Sequence, residues 1–307
     1  MGSGINMLCF SACYAIALAL EVSGLWARMR AARIALLVSA IAGLAAHSWY
    51  LVHRVTEMPE APLASQQDWY ILAAWVLAIL YLILKLYYSR SSMGLFFLPA
   101  VLALIGISRF ATQTPLTSFQ APRVWGQVHG VLLMVGTVAV LVGFLAGLMY
   151  LIQSYRLKHK MPPGRYLKLP SLEWLEKANS QSLGIATLFV GGGFFTGVLS
   201  RLASQGEQNF VPWTDPVVVS LAAMFVWLVV AEVFRLIYPA ARQGQKVAYL
   251  TIAAILFLTL VLSVVTWRDS LHMGAEIDNP DEPTQSQKTA VSTSAHTSPP
   301  TNNGGPA

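Results

Sequence analysis

Eight runs of apolar residues, at approximately 5–25, 31–53, 68–88, 93–110, 126–153, 181–203, 215–238 and 246–267, leave this chain few ways to fold. A helix needs about 20 mostly apolar residues to cross a bilayer. In lipid, backbone polar groups must be satisfied within such helices or within a closed barrel. With 55% of residues hydrophobic and only 11% charged, the pattern predicts an all-α polytopic membrane bundle of about eight transmembrane helices. A soluble domain carries about 25% charged residues, so the shortage of charge argues against one. The first run lacks the basic flank and small-residue cleavage site of a secretory signal and reads as a retained helix. The net charge of +6 then concerns topology, not nucleic acid.

Orientation follows from Lys and Arg in the connections, which concentrate on the cytoplasmic side. Of the 20 basic residues, 14 fall on one side, among them Arg28, Lys85, Arg156, Lys158, Lys168, Arg235 and Lys246. The other six are Arg54, Arg109, Arg123, Arg201, Arg268 and Lys288. The richer side reads as cytoplasmic, which puts both termini outside. Within the basic connection 154–180, LPSLEWLEKAN (169–179) reads as a short amphipathic helix. Ser171 would cap it, and Leu172, Trp174 and Leu175 would rest on the membrane surface. From Gly274 the composition turns to Pro, Ser, Thr and Asn without apolar periodicity. The expected organisation is a transmembrane domain, 1–273, and a disordered extracytoplasmic tail, 274–307.

Gly143 and Gly147 in the fifth run, and Gly191, Gly192, Gly193 and Gly197 in the sixth, are small residues at spacings that let helices pack closely in lipid. No nucleotide-binding glycine signature is present. Cys9 and Cys13, four apart, read as two small apolar thiols on one helix face, and no CxxC or CxxCH occurs.

Ionisable groups at membrane depth are costly and therefore informative. Alternating topology puts His129 in the first outer turn of the fifth helix, and His272 just beyond the outer end of the eighth. His47 falls in the outer half of the second helix, with His53 near its end. The stretch VPWTDPVVVS opens the seventh helix from the same side, with Asp215 and Pro216 placed as a helix entry after Trp213. Four of the six histidines thus gather at one leaflet. Two imidazoles from separate helices can ligate a haem iron while aromatic side chains pack on the porphyrin. The plainer reading of each feature is an interfacial histidine or tryptophan. His159, in a basic cluster, and His296, in the tail, are not site candidates. Glu21 and Glu232 are intramembrane carboxylates, and Glu232 is spaced for a local ion pair with Arg235.

GLAAHSWYLVHR, AAWVLAILYLIL and LFFLPAVLAL resemble the amino half of the HemX-like branch of the cytochrome c assembly family. VWGQVHGVLLMVGTVAVLVGFLAGLMYLIQSYRLKHK and LPSLEWLEKANSQSLGIATLFVGGGFFTGVLS resemble its central segment, and SLHMG its closing outer histidine. CcsA-, ResC- and CcmC-type relatives handle haem for c-type cytochrome maturation. In them, two outer histidines flank a tryptophan-rich segment that ends in an aspartate. By position the resemblance assigns those roles to His129, His272 and the Trp213–Asp215 segment. Here that segment carries Trp213 alone, followed by Val217, Val218 and Val219 after Pro216. A further intramembrane histidine of CcsA-type members is replaced by Val233 or a neighbour.

The resemblance implies a haem-binding assembly factor for c-type cytochromes in a bacterial cytoplasmic membrane, a chaperone and not an enzyme. Haem b would be held transiently by the axial ligands His129 and His272, with Trp213, Asp215 and His47 as further cofactor-binding candidates. Its partners would be apocytochrome c, a ResB-like membrane protein and the bilayer, with no nucleic acid. The alternatives are a HemX-like accessory protein that influences haem synthesis or assembly without binding haem, a b-type electron-transfer cytochrome, and, last, a transporter.

Overall fold

The computed structural model describes residues 2–25, 30–57, 65–89, 91–111, 123–160, 167–203, 213–237 and 244–275. Of these, 2–6, 57, 123–125, 201, 203, 244–245 and 265–275 are described by backbone alone. Among the described residues every element is an α-helix: α1 (Gly2–Ser23), α2 (Arg30–Glu57), α3 (Gln66–Tyr87), α4 (Gly94–Ser108), α5 (Arg123–Lys158), α6 (Leu172–Ala203), α7 (Pro216–Ile237) and α8 (Gly244–Ala275). The chain divides into a large unit, Met1–Thr266, and a second one, Trp267–Ala307. The expected tail, with His296, lies almost wholly outside the described residues.

Among the described residues, six helices are long and apolar enough to cross a membrane, namely α2, α3 and α5 to α8. The apolar part of α1 (Met7–Ser23) and α4 are shorter. At 1.5 Å per residue, the 15 residues of α4 span about 22 Å, less than a typical hydrocarbon core of about 30 Å. α5 runs for 36 residues, well beyond the apolar stretch that predicts it.

Two apolar clusters organise the large unit. Phe10, Tyr14, Ile71, Leu77, Phe97 and Leu98 anchor the first, among α1 to α4. Leu183, Val190, Met224 and Leu228 anchor the second, in α6 and α7. α5 serves both, contributing Val138, Leu145 and Met149 to one and Ala139 and Val140 to the other.

The segment expected to lie on the membrane surface does not form a separate helix. Ser171 caps as expected, its hydroxyl accepting from the Trp174 N–H at 3.3 Å. The helix it starts, however, continues without a break to Ala203. Leu175 is fully buried, and Trp174 packs edge-on against Tyr88 with ring centroids 5.4 Å apart. Apolar groups of α3 were within reach, so the hydrophobic face turned inward and not toward lipid.

Buried charges fasten the ends of these helices. Lys85 donates to both Glu21 carboxylate oxygens and to the Ser91 carbonyl, each at 2.8 Å. Gly94, at the start of α4, makes room for this pair, because a β-carbon there would sit 3.0 Å from the Glu21 carboxyl carbon. At the other end of α3, Arg54 meets Asp68 at 3.0 Å. Asp68 also completes a capping box with Ser65, whose hydroxyl donates to it at 2.6 Å. Nearby, the Gln67 side chain donates to the Ser108 carbonyl at 3.1 Å, tying α3 to the end of α4. Glu232 pairs with Arg235 at the expected spacing, and Arg235 reaches Ser180 on α6 as well.

Removing one member of a buried pair strands the other charge, which costs about 3–5 kcal/mol. Glu21→Gln and Lys85→Met are each expected to lower unfolding stability in detergent by about that much. The double variant should regain most of the loss. Equal, additive losses in a double-mutant cycle would show that the pair is not coupled.

Candidate functional site

His129, near the start of α5, sits on a close helix contact that glycines create. Along the α5–α6 interface the partners run in strict antiparallel order. His129 faces Gly197, Leu133 faces Gly193, Gly136 faces Val190 and Gly143 faces Ser182. Each step of three, four or seven along α5 matches an equal or nearly equal step back along α6, so one face of each helix stays in contact. A β-carbon at Gly136 would lie 2.7 Å from the Val190 side chain, and one at Gly193 would fall within the Leu133 side chain. Of the glycines expected to serve packing, all but Gly192 admit a close neighbour. They also open the space that His129 occupies.

His129 is half-buried, and its ring is anchored to the main chain of α6. Nδ1 lies 2.8 Å from the Gly193 carbonyl and 3.3 Å from the Thr196 hydroxyl. A β-carbon on Gly197 would come within 2.9 Å of His129 Cε1. Next along α5, Trp69 of α3 lies so close to Gly130 that a β-carbon there would be 2.5 Å from Cζ2. Sequence reasoning did not single out Thr196 or Trp69. Thr196 lies in a glycine-rich stretch of α6 that carries no ligand signal of its own, and nothing near Trp69 in the chain points to Gly130.

Asp215 answers to the plainer of its two readings. It is buried at 3% exposure, and its Oδ1 accepts from the Val217 N–H at 2.8 Å. Its carbonyl takes the first helical bond, from the Val219 N–H at 3.0 Å. That is an N-cap with Pro216 at the first helical position. Trp213, two residues earlier, is half exposed. His272 falls in the last turns of α8, and its side chain lies outside the described residues.

His47 belongs to the first cluster. It is fully buried, stacked on Phe10 with ring centroids 4.3 Å apart, and its Nδ1 is 3.4 Å from the Tyr14 hydroxyl. Its Nε2 has no hydrogen-bond partner within normal geometry. His53 is exposed near the end of α2. His159 is exposed on α5, with Nδ1 2.9 Å from the Tyr155 carbonyl. Among the described residues no three metal-ligating side chains cluster, so the donor set of a structural zinc site is not assembled there.

Two substitution series test this geometry. A β-carbon at Gly192 would meet only ordinary contacts, 3.6 Å from Leu132, so Gly192→Ala should be neutral or stabilise by up to about 1 kcal/mol. Gly193→Ala should destabilise by about 1–3 kcal/mol, because Leu133 must move. Unfolding in detergent separates the two. At Asp215, Asn should be tolerated, whereas Ala should cost about 1 kcal/mol for the lost cap. A large loss in Asp215→Asn would assign the carboxylate a duty beyond capping.

The family model for the cytochrome C assembly protein matches residues 63–272. The match opens just before α3, includes all of α3 to α7, and ends at His272 within α8. No curated protein and no solved structure matches the chain significantly. With the greater part of its length matched, and its helices forming a polytopic membrane bundle, the chain belongs to the cytochrome c assembly protein family and has a role in c-type cytochrome biogenesis.

Proposed function

We propose that this membrane protein holds haem b at its outer face and presents it to apocytochrome c, working with a ResB-like partner in a bacterial cytoplasmic membrane. The observation that carries this reading is the anchored ring of His129, with Nδ1 2.8 Å from the Gly193 carbonyl. A ligating histidine almost always donates its second ring nitrogen to a carbonyl, carboxylate or water, which fixes the ring and raises its basicity. His129 therefore fits an axial ligand in the chemistry of its surroundings. Its proposed counterpart, His272, falls within the same family match.

The roles divide simply. His129 and His272 hold iron, Trp213 packs on the porphyrin, and Asp215 supports that segment by capping α7. The thiols that react belong to the apocytochrome, so this chain binds and orients and forms no bond of its own. Bound haem supplies the group to be attached. His47, stacked on Phe10 and edge-on to Tyr14, is the reserve ligand. One observation favours a second reading, an accessory protein that carries no haem. The aspartate of the tryptophan segment is engaged in a helix cap, and the single Trp213 stands half exposed.

The optical spectrum of the purified full-length protein, expressed with adequate haem, separates these readings. Low-spin haem is expected. His129→Ala and His272→Ala should each lose haem or turn high-spin, because axial imidazoles set the iron's coordination. Added imidazole should partly restore the low-spin form. Trp213→Ala should act more mildly, and His159→Ala and His296→Ala should change nothing. Stoichiometric haem with a wild-type spectrum in both outer-histidine variants would move the ligands to His47 and His53. A protein without haem would favour the accessory role.

A further inference from the structure

The hydrogen bonds around His129 determine which ring nitrogen carries its proton. Nδ1 faces two oxygens, the Gly193 carbonyl at 2.8 Å and Thr196 Oγ1 at 3.3 Å. A carbonyl can only accept. A threonine hydroxyl has one proton, and Thr196 directs it at the α6 main chain, its Oγ1 lying 3.0 Å from the Gly192 carbonyl and 2.8 Å from that of Gly193. Toward the imidazole, Oγ1 is therefore an acceptor as well. An unprotonated Nδ1 would set its lone pair against two acceptors in a half-buried site, where unmet polar groups are costly. The neutral ring must carry its proton on Nδ1, which leaves the lone pair on Nε2.

We propose that Thr196 and the Gly193 carbonyl are positioning groups that lock His129 in its Nδ1–H tautomer, so that Nε2 is the nitrogen offered to a ligand's metal centre. Gly197 belongs to the device, because any side chain there would meet Cε1 and push the ring off its acceptors. Thr196 touches no ligand itself and acts through the histidine. The ligand half of this inference rests on the haem reading above. The tautomer half stands on the geometry alone.

The test uses the full-length protein in lipid nanodiscs, labelled with 15N-histidine, without haem, at a pH where the ring is neutral. The His129 signals are assigned by their loss in His129→Gln. Long-range proton–nitrogen spectra should show the Nδ1–H form. Thr196→Val keeps the shape and removes one acceptor, so the share of the Nε2–H form should rise about fivefold, as for one lost neutral hydrogen bond. Thr196→Ser should behave as wild type. In a titration with haem, Thr196→Val should bind about tenfold or more weakly and Thr196→Ser normally, the usual effect of removing a group that orients a ligand. A His129 that is mainly Nε2–H, or a Thr196→Val that leaves the tautomer share unmoved, overturns the proposal. A wild-type protein that takes no haem yet holds the Nδ1–H form refutes the haem-carrying role and supports the positioning role.

Discussion

The near-contact of two helix backbones, α5 and α6, is the constraint on which the rest of the molecule depends. Lipid tails are as apolar as leucine, so helices in a bilayer gain little from hiding apolar surface and must instead fit closely. Glycine at 136, 143, 193 and 197 supplies that fit along one antiparallel seam, the first two on α5 and the last two on α6. α5 also contributes buried residues to both apolar clusters, as α6 and α8 do. That seam holds α6 to α5, and near the start of α5 it seats His129.

Polar groups specify what apolar packing leaves loose. Two helices can slide or rotate against each other at small cost in van der Waals contact, but not when a buried charge must stay on its partner. Glu21 with Lys85 fixes α1 against α3 at one end, and Arg54 with Asp68 fixes α2 against α3 at the other. Arg235 reaches across from α7 to Ser180 of α6. His129 on the Gly193 carbonyl is the same device applied to a neutral ring. A histidine held in this way is oriented before any ligand arrives.

Much of the architecture was legible in the sequence because hydropathy is a local property. The eight runs, the close-approach glycines, the Glu232–Arg235 pair and the caps at Ser171 and Asp215 all depend on residues near one another in the chain. The unread features depend on distance. Glu21 and Lys85 are 64 residues apart, and one read as an intramembrane carboxylate, the other as a basic residue of a connection. His129 and Thr196 are 67 apart, and nothing in either segment names the other. The amphipathic stretch 169–179 was misplaced for a related reason. Periodicity reveals that a helix has an apolar face, but not whether lipid or protein will cover it.

The buried pairs bear on how this family's sequence unit relates to a folding unit. The family match begins at residue 63, which leaves α1 and α2 outside it. Yet Glu21 and Arg54, both in those helices, neutralise Lys85 and Asp68 inside the match. A polypeptide confined to the matched region would carry two unmet charges of opposite sign, at opposite ends of α3. Net charge would hide the damage, since the two cancel in any total, but each would face its own desolvation cost. The amino-terminal hairpin is thus less an appendage than an internal counterion, and the smallest autonomous form of this protein is larger than the region by which its kinship is recognised.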